Sequence, residues 1–599
     1  MSTPAALSPA PLAPALQTAH SDLADYRISR RVLLLAGMAL IVGTISTVVA
    51  KGLVLLINTV TNLVFHLHWS AADATPAGHP WGWAVVGIPV AGALIIGVMA
   101  RYGSEKIRGH GIPEALEAIL LGRSRIQLKV ALLKPLSAAI SIGTGGPFGA
   151  EGPIIMTGGA LGSLFAQRFH LSAAERKTLL VAGSAAGMTA IFGTPVAAVL
   201  LAVELLLFEW KPRSLIPVVV AVAVAAGLRV PFFGVGPMFP VAPHTGVEGG
   251  TLLYAAGLGL AVGVGSGLVT SMVYFMEDAF NRLPLHWMWW PAIGAVFVGI
   301  GGLIEPRALG VGYETIRDLL QGHLLGTALL AILVVKALVW SIALGSGTSG
   351  GVLAPLLILG SALGAVAGQW IPAGDVPTWA LVGLAAMVGG TMRAPLMAMV
   401  FAVEMTHDFN LLPLLLTGTI AAYAVTVLWL PRSILTEKLA RRGQHISCEY
   451  SIDPFELARV KEVMDHEVPS IPGSTTIHAL ASRIATGEPL LAGHQGTLVT
   501  DDHGYLTGIV TRGDLMRALT DQEDGKPQTV AEIGTRDLVV THPGEPLADA
   551  LNRMLAHNIG RMPVVDPKEP LRAIGYLGRS AILSARMKLH EEEHHRSRH

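Results

Sequence analysis

The chain has 599 residues, 52% of them hydrophobic and 14% charged, with 42 basic side chains against 42 acidic ones. Zero net charge gives no global field for a nucleic-acid partner, and a single cysteine, Cys448, excludes an intramolecular disulfide framework and a cysteine metal cage. Apolar runs of about 20 residues, the length of a helix across a bilayer, make this a polytopic membrane protein.

Residues 1–30 are rich in Ala, Pro and polar side chains and read as a disordered tail, without the early apolar core of a signal peptide. The first span, Val32–Ala50, follows Arg27, Arg30 and Arg31, and that basic flank places the N-terminus in the cytoplasm. Further runs lie at Trp81–Ala100, Leu324–Leu344 and Leu411–Leu430. The 68 glycines and 37 prolines interrupt many apolar runs, as broken and re-entrant helices around a polar cavity require.

Three glycine-rich loops precede apolar helices. Gly109-His110-Gly111-Ile112-Pro113-Glu114-Ala115 puts Pro and then Glu in a first helical turn, the pattern of a helix start. Gly143–Pro153 carries one carboxylate, Glu151, and no basic residue, while Gly345–Pro355 carries no charged side chain. Glycines let backbone N–H groups approach a ligand, and helix starts add positive partial charge. The natural ligand is therefore an anion, held weakly enough to be released. Glu151 would compete with that anion, which is the logic of a gated site. A purely structural Glu151 has to meet a cost of roughly 2.5–3.5 kcal/mol for a carboxylate at bilayer depth.

The membrane part is an internal duplication. Lys134, Gly143, Gly145, Gly149, Pro153 and Gly158 recur 202 positions later as Lys336, Gly345, Gly347, Gly351, Pro355 and Gly360. After a two-residue slip, Gly183, Pro195, Ala198 and Glu204 match Gly383, Pro395, Ala398 and Glu404. In transporters built this way the halves often run antiparallel, and broken helices from both point at a site near the bilayer midplane. The duplicated Glu204 and Glu404 read as scaffold, and Lys134 and Lys336 as structural pairing groups. Aligned by the repeat, Glu151 has Leu353 as its counterpart.

The three loops, in this order across residues 31–443, resemble those of the CLC chloride channels and chloride/proton exchangers. That family's patterns are G-S-G-I-P, G-K/R-E-G-P and G-x-F-x-P; here they read G-H-G-I-P, G-A-E-G-P and G-V-L-A-P. The resemblance implies an all-α polytopic membrane domain with an inverted repeat and broken helices, its halves at about 31–230 and 250–443. It further implies a homodimer in a bacterial cell membrane that carries chloride or other small anions and is not an enzyme. Carried over, Glu151 is the gating glutamate, and Gly109, His110, Gly111, Ile112, Gly149, Gly152, Gly351, Val352 and Leu353 contribute to the anion site.

Three departures bear on mechanism. His110 stands where the family places an anion-binding serine, and Leu435 where it places an anion-contacting tyrosine. Leu205 stands where exchangers carry an internal proton-transfer glutamate, which leaves Glu204 as the adjacent carboxylate for a proton path. Channel members lack that glutamate too, so the expectation is conduction like that of a voltage-gated chloride channel, with chloride/proton antiport as the alternative. A regulated cation channel or transporter, the reading from another class, would need several converging carboxylates or carbonyl rings, whereas the loops offer one acid.

After Arg441-Arg442-Gly443 the apolar runs shorten and charge rises, so residues 444–457 read as a linker. Val460–Leu519 follows the order helix, strand, helix, strand, strand, helix, with strands at Gly496–Thr500 and Gly508–Thr511, and Val530–Leu583 repeats it with strands at Met562–Asp566 and Ile574–Leu577. This resembles a tandem pair of α/β CBS domains, here 458–522 and 528–585, on the cytoplasmic side. In Gly508-Ile509-Val510-Thr511-Arg512-Gly513-Asp514 the resemblance implies an adenosyl ligand such as AMP or ATP, with Thr511 at phosphate and Asp514 on the ribose. Leu577-Gly578-Arg579-Ser580 lacks that aspartate, and a module that only stabilises a dimer is the other reading. No cofactor or metal is required, and the histidine-rich residues 586–599 are expected as a solvated tail.

Overall fold

A computed structural model describes residues 30–120, 122–242, 249–441, 458–521 and 528–596. The expected tail up to residue 29 and the linker at 444–457 lie outside them. The chain divides into a membrane unit within residues 28–449 and a second unit that takes in residues 450–599.

The membrane unit is helical. Its first half runs α1 (Arg31–Phe65), α2 (Gly87–Tyr102), α3 (Ile112–Leu120), α4 (Leu128–Gly143), α5 (Glu151–Gln167), α6 (Ala173–Phe192), α7 (Pro195–Leu201) and α8 (Pro212–Phe233). The second half repeats the order as α9 (Thr251–Asn281), α10 (Trp290–Ile304), α11 (Tyr313–Leu320), α12 (Thr327–Gly345), α13 (Leu353–Gly368), α14 (Val376–Met392), α15 (Pro395–Thr406) and α16 (Leu412–Trp429), and α17 (Glu437–Arg441) follows. Among the described residues seven helices are long and apolar enough to cross a bilayer, and four of them overlap the four runs expected from the sequence.

The two halves share one packing plan. Helix α5 packs on α6 as α13 does on α14, and α1 on α8 as α9 does on α16. Small residues make those crossings close: a Cβ on Gly158 would strike the Gly183 carbonyl, and one on Gly360 the Gly383 carbonyl. Both α6 and α14 begin on side-chain caps. Ser172 Oγ accepts from Glu175 N at 3.2 Å, and Asp375 Oδ1 accepts from Thr378 N at 3.0 Å. Helices α5 and α13, of 17 and 16 residues, both start inside the protein, where Glu151 and Leu353 are buried.

The second unit holds two α/β modules. In the first, β1 (Ser470–Pro472) lies parallel to β2 (Gly496–Thr500), which pairs antiparallel with β3 (Leu506–Thr511). In the second, β4 (Arg561–Val565) pairs antiparallel with β5 (Ala573–Gly578). Leu498 and Leu506 share a buried cluster with Leu538, Val540, Val565 and Tyr576, which joins the modules. Residues 586–596, within the expected tail, continue the helix Arg579–Arg596.

Candidate functional site

The loop before α3 turns on two left-handed glycines, Gly109 at φ +86° and Gly111 at φ +92°. Its shape is held from two sides. Lys134, fully buried on α4, donates through Nζ to the carbonyls of Ile107 at 2.8 Å and Gly109 at 2.7 Å. Glu114 folds back so that Oε2 accepts from Gly111 N at 2.7 Å and Oε1 from Lys438 Nζ at 2.5 Å. A buried ammonium and a buried carboxylate are thus both satisfied by the turn they shape. Lys336 repeats the first contact in the second half, donating to Ala308 O at 2.9 Å and Gly310 O at 3.3 Å. The duplicated lysines therefore clamp loop carbonyls.

The three sequence-derived loops meet. Gly351 N donates to Gly149 O at 2.9 Å, Gly149 N to Gly351 O at 3.3 Å, and Gly350 N to Gly109 O at 3.4 Å. The junction tolerates no side chains at its glycines: a Cβ on Gly111 would lie 2.5 Å from Gly152 O, and one on Gly152 would run into the His110 carbonyl. Ser137 Oγ, on α4, steadies the third loop by donating to Ser349 Oγ at 3.1 Å.

These bonds divide the candidate amides. The N–H groups of Gly111, Gly149 and Gly351 are committed within the protein, so those glycines fasten the loops together. The N–H groups of Glu151 and Gly152 on α5, and of Leu353 on α13, lie in first turns, where a helix has no acceptor for them. Val352 is the N-cap of α13, and Ile112 opens α3.

At this junction sits the Glu151 carboxylate. It is 0% exposed, and both its oxygens are buried without a hydrogen-bond partner. A Cβ on Gly149 would overlap it, and one on Gly351 would lie 2.8 Å from Oε2, so the carboxylate fills the space between the two loops. His110, 5% exposed, also leaves its Nδ1 buried and unpartnered. An unpaired buried charge is costly and needs a local reason. Here the carboxylate sits at two helix starts, whose partial positive charge offsets part of that cost.

One side of the junction opens into a cavity of about 950 Å³ whose lining includes Lys106, Arg108, His110, Glu114, Tyr274 and Lys438. The Arg108 guanidinium lies 4.5 Å from the ring centre of Trp287 and 5.8 Å from that of Trp290. Leu435 is fully buried and brings no hydroxyl. A hydroxyl does reach this neighbourhood from Tyr274 on α9, but it donates to Ile434 O at 2.5 Å. Nothing in the sequence flags that contact, since Tyr274 lies in an apolar run 160 positions from its acceptor.

Glu204 lies apart from these loops in its bonding. Its carboxylate accepts from Leu396 N at 3.3 Å and Met397 N at 2.9 Å, at the start of α15. Glu404 returns the contact at the start of α7, accepting from Val196 N at 3.0 Å and Ala197 N at 2.8 Å. Each glutamate sits near the end of one helix and caps the start of the other, so α7 and α15 run antiparallel and the repeat is inverted. Leu205 beside Glu204 is buried.

In the second unit Thr511 and Asp514 form a capping box. Asp514 Oδ2 accepts from Thr511 N at 2.9 Å and from Thr511 Oγ1 at 2.7 Å, Thr511 Oγ1 accepts from Asp514 N at 3.2 Å, and Arg517 pairs with Asp514 Oδ1. Burial opposes the charge on Asp514, but the Thr511 bonds and Arg517 prevail and hold its carboxyl below the usual range. The crevice beside Thr511, lined by Leu480, Gly496 and Leu515, holds no cavity of water size.

Against known proteins, residues 91–427 match the family model of the voltage gated chloride channel, and residues 460–521 and 530–588 match that of the CBS domain. A putative chloride channel protein ClcB-like of Ralstonia nicotianae is 31% identical over 365 residues, which cover 59% of this chain and 85% of that protein. The H(+)/Cl(−) exchange transporter ClcA of Salmonella paratyphi A is 29% identical over 401 residues, 63% of this chain and 83% of that one. A slow cyanobacterial Cl−/H+ antiporter of known structure superposes with a TM-score of 0.61 at 23% identity, over 69% of this chain and 99% of its own. A eukaryotic CLC transporter does so at 0.56 and 19%, over 92% of this chain and 98% of its own. At those identities the structural likeness concerns the fold.

Proposed function

The chain belongs to the voltage gated chloride channel family, and from that premise we propose that it moves chloride across a bilayer through the junction of the three loops, with Glu151 as the gate. One observation carries this: a fully buried carboxylate without a hydrogen-bond partner, set between Gly149 and Gly351 at the starts of α5 and α13. Ionised, it fills the place that the first-turn amides of Glu151, Gly152 and Leu353 prepare for an anion. Protonated, it gives up the charge that competes with chloride, and the anion enters. His110 has a buried ring nitrogen with no protein partner and takes the part of the family's serine. Gly109 and Ile112 place that imidazole, and Val352 sets the start of α13.

Conduction without tight proton coupling is favoured by Leu205, an apolar side chain, and by the engagement of Glu204 as a cap. Chloride/proton antiport is the second reading, because exchange transporters stand among the relatives. The basic flank of α1 supports a cytoplasmic N-terminus, the family a homodimer in a bacterial cell membrane, and the CBS pair a cytoplasmic adenosyl ligand at Thr511 and Asp514. Such a ligand has to displace the capping box and open the crevice. Purified protein in proteoliposomes, read with chloride and pH electrodes, tests the function. Chloride efflux without uphill proton movement is expected; no chloride movement refutes the proposal, and chloride-driven proton pumping replaces conduction by exchange.

A further inference from the structure

Glu151 faces a fourth helix start that the loop motifs do not announce. Gly310-Val311-Gly312-Tyr313 repeats the turn of Gly109-His110-Gly111-Ile112, with Gly310 at φ +65° and Gly312 at φ +80°. Lys336 clamps the carbonyls of Ala308 and Gly310 here as Lys134 does those of Ile107 and Gly109. The turn delivers Tyr313, the first residue of α11, beside the gate.

The Tyr313 ring is held by aromatic neighbours. Its centre lies 6.2 Å from that of Phe192 and 6.2 Å from that of Phe239, both edge-on, and Phe192 leans in turn on Phe401 at 5.1 Å. A ring packed in this way fixes where its hydroxyl points. That hydroxyl lies close enough to the Glu151 carboxylate to interact with it. It is buried and lacks a partner in bonding geometry, and so do both carboxylate oxygens. A buried donor and a buried acceptor left open side by side are completed by a small movement of one of them, and a hydroxyl bonded to a charged oxygen is a strong pairing. Lys336, the cation near the carboxylate, already donates to two carbonyls.

We propose that Tyr313 is a positioning residue for the gate: its hydroxyl donates to the ionised Glu151 carboxylate and holds it between Gly149 and Gly351, where it blocks the anion. This rests on Glu151 being the gate. Removing the hydroxyl frees the carboxylate to leave the pathway, so chloride passes more often at neutral pH.

The test is a four-protein cycle in proteoliposomes: wild type, Tyr313→Phe, Glu151→Gln and the double variant, with chloride efflux measured at neutral pH. Tyr313→Phe should raise efflux by about threefold to tenfold, the range of a hydrogen bond of moderate net worth, and should add nothing once Glu151 is Gln. The full-length protein with 3,5-difluorotyrosine at position 313, the same shape with a stronger donor, should slow efflux below wild type. A Tyr313→Phe rate equal to wild type, beside an altered Glu151→Gln, overturns the role of Tyr313 and leaves the gate standing. A Tyr313→Phe effect that persists undiminished in the double variant shows a structural role and also overturns it. Glu151→Gln indistinguishable from wild type removes the gate itself, and this proposal with it. If Tyr313→Phe lowers the melting temperature or disturbs the elution profile, the fluorinated protein decides alone: unchanged or faster efflux counts against the proposal.

Discussion

Glu204 and Glu404 cap each other's helices: the carboxylate of Glu204 accepts from Leu396 and Met397 at the start of α15, and that of Glu404 from Val196 and Ala197 at the start of α7. The pair bolts the two halves together. Glu204→Ala and Glu404→Ala should each destabilise the protein by about 0.5–2 kcal/mol, the usual worth of a helix cap, and by similar amounts. Glu204→Gln keeps an acceptor oxygen and should cost less. Thermal unfolding in detergent checks this. A Glu204→Ala variant that melts like wild type while its proton movement changes would assign Glu204 to a proton path instead.

The lysine clamps predict a second symmetry. Lys134→Met leaves the Ile107 and Gly109 carbonyls without their buried donor, and Lys336→Met does the same to Ala308 and Gly310. Each exposed loss of a buried partner costs about 1–3 kcal/mol, so both variants should be less stable and transport poorly. Chloride efflux from proteoliposomes, normalised to folded protein, measures it. Normal efflux from Lys134→Met would mean that the loop holds its shape without the clamp.

Much of this was legible in the sequence, and the reasons differ by residue. Glu151 stood out because a carboxylate in an apolar, glycine-rich segment has few structural uses, and the duplication placed Gly149 and Gly351 at equivalent points before the structure joined them. The scaffold role read from the Glu204 and Glu404 repeat agrees with their cross-caps, since a function confined to one half has no need of a copy in the other. Tyr313 escaped notice because its loop repeats at a lag of 201 that lies between the 202 and 200 of the stronger matches, and glycines alone carry it. Tyr274 and Ile434 could not be linked by any local pattern. The capping box of Thr511 and Asp514 was hidden by its overlap with a ligand motif: the same Thr-x-x-Asp spacing serves both.

Close contact at the loop junction predicts strong sensitivity to single methyl groups. Gly152→Ala would place a methyl 3.0 Å from Gly351 Cα and against the His110 carbonyl. Backbone cannot yield there as a side chain could, so overpacking of about 1–3 kcal/mol is expected, with chloride efflux falling at least tenfold. Gly37→Ala on α1, where a Cβ meets nothing within 4 Å, is the control and should leave efflux unchanged. Equal efflux from both variants would contradict the packing of the junction.

The second unit should respond to acid through Asp514. Its carboxyl is held below the usual range when folded, so the stability it contributes is present above the unfolded value of about 3.9 and is lost as pH falls through the folded value. Hydrogen exchange in the full-length protein, corrected for intrinsic rates, should show the helix Arg512–Thr520 losing protection on acidification below about pH 4. Asp514→Asn should begin less protected and lack that step. An identical acid response in the variant would show that the capping box is not what titrates.

The central claim is tested most directly by the pH dependence of chloride efflux from proteoliposomes holding wild type or Glu151→Ala. Protonation removes the charge that competes with the anion, so wild-type efflux should rise as pH falls from about 7.5 to about 4.5, across the range in which a buried carboxyl can take up a proton. Glu151→Ala, with no carboxylate at the junction, should conduct at every pH and lose most of that dependence. Efflux from Glu151→Ala that follows the wild-type pH curve would contradict the account.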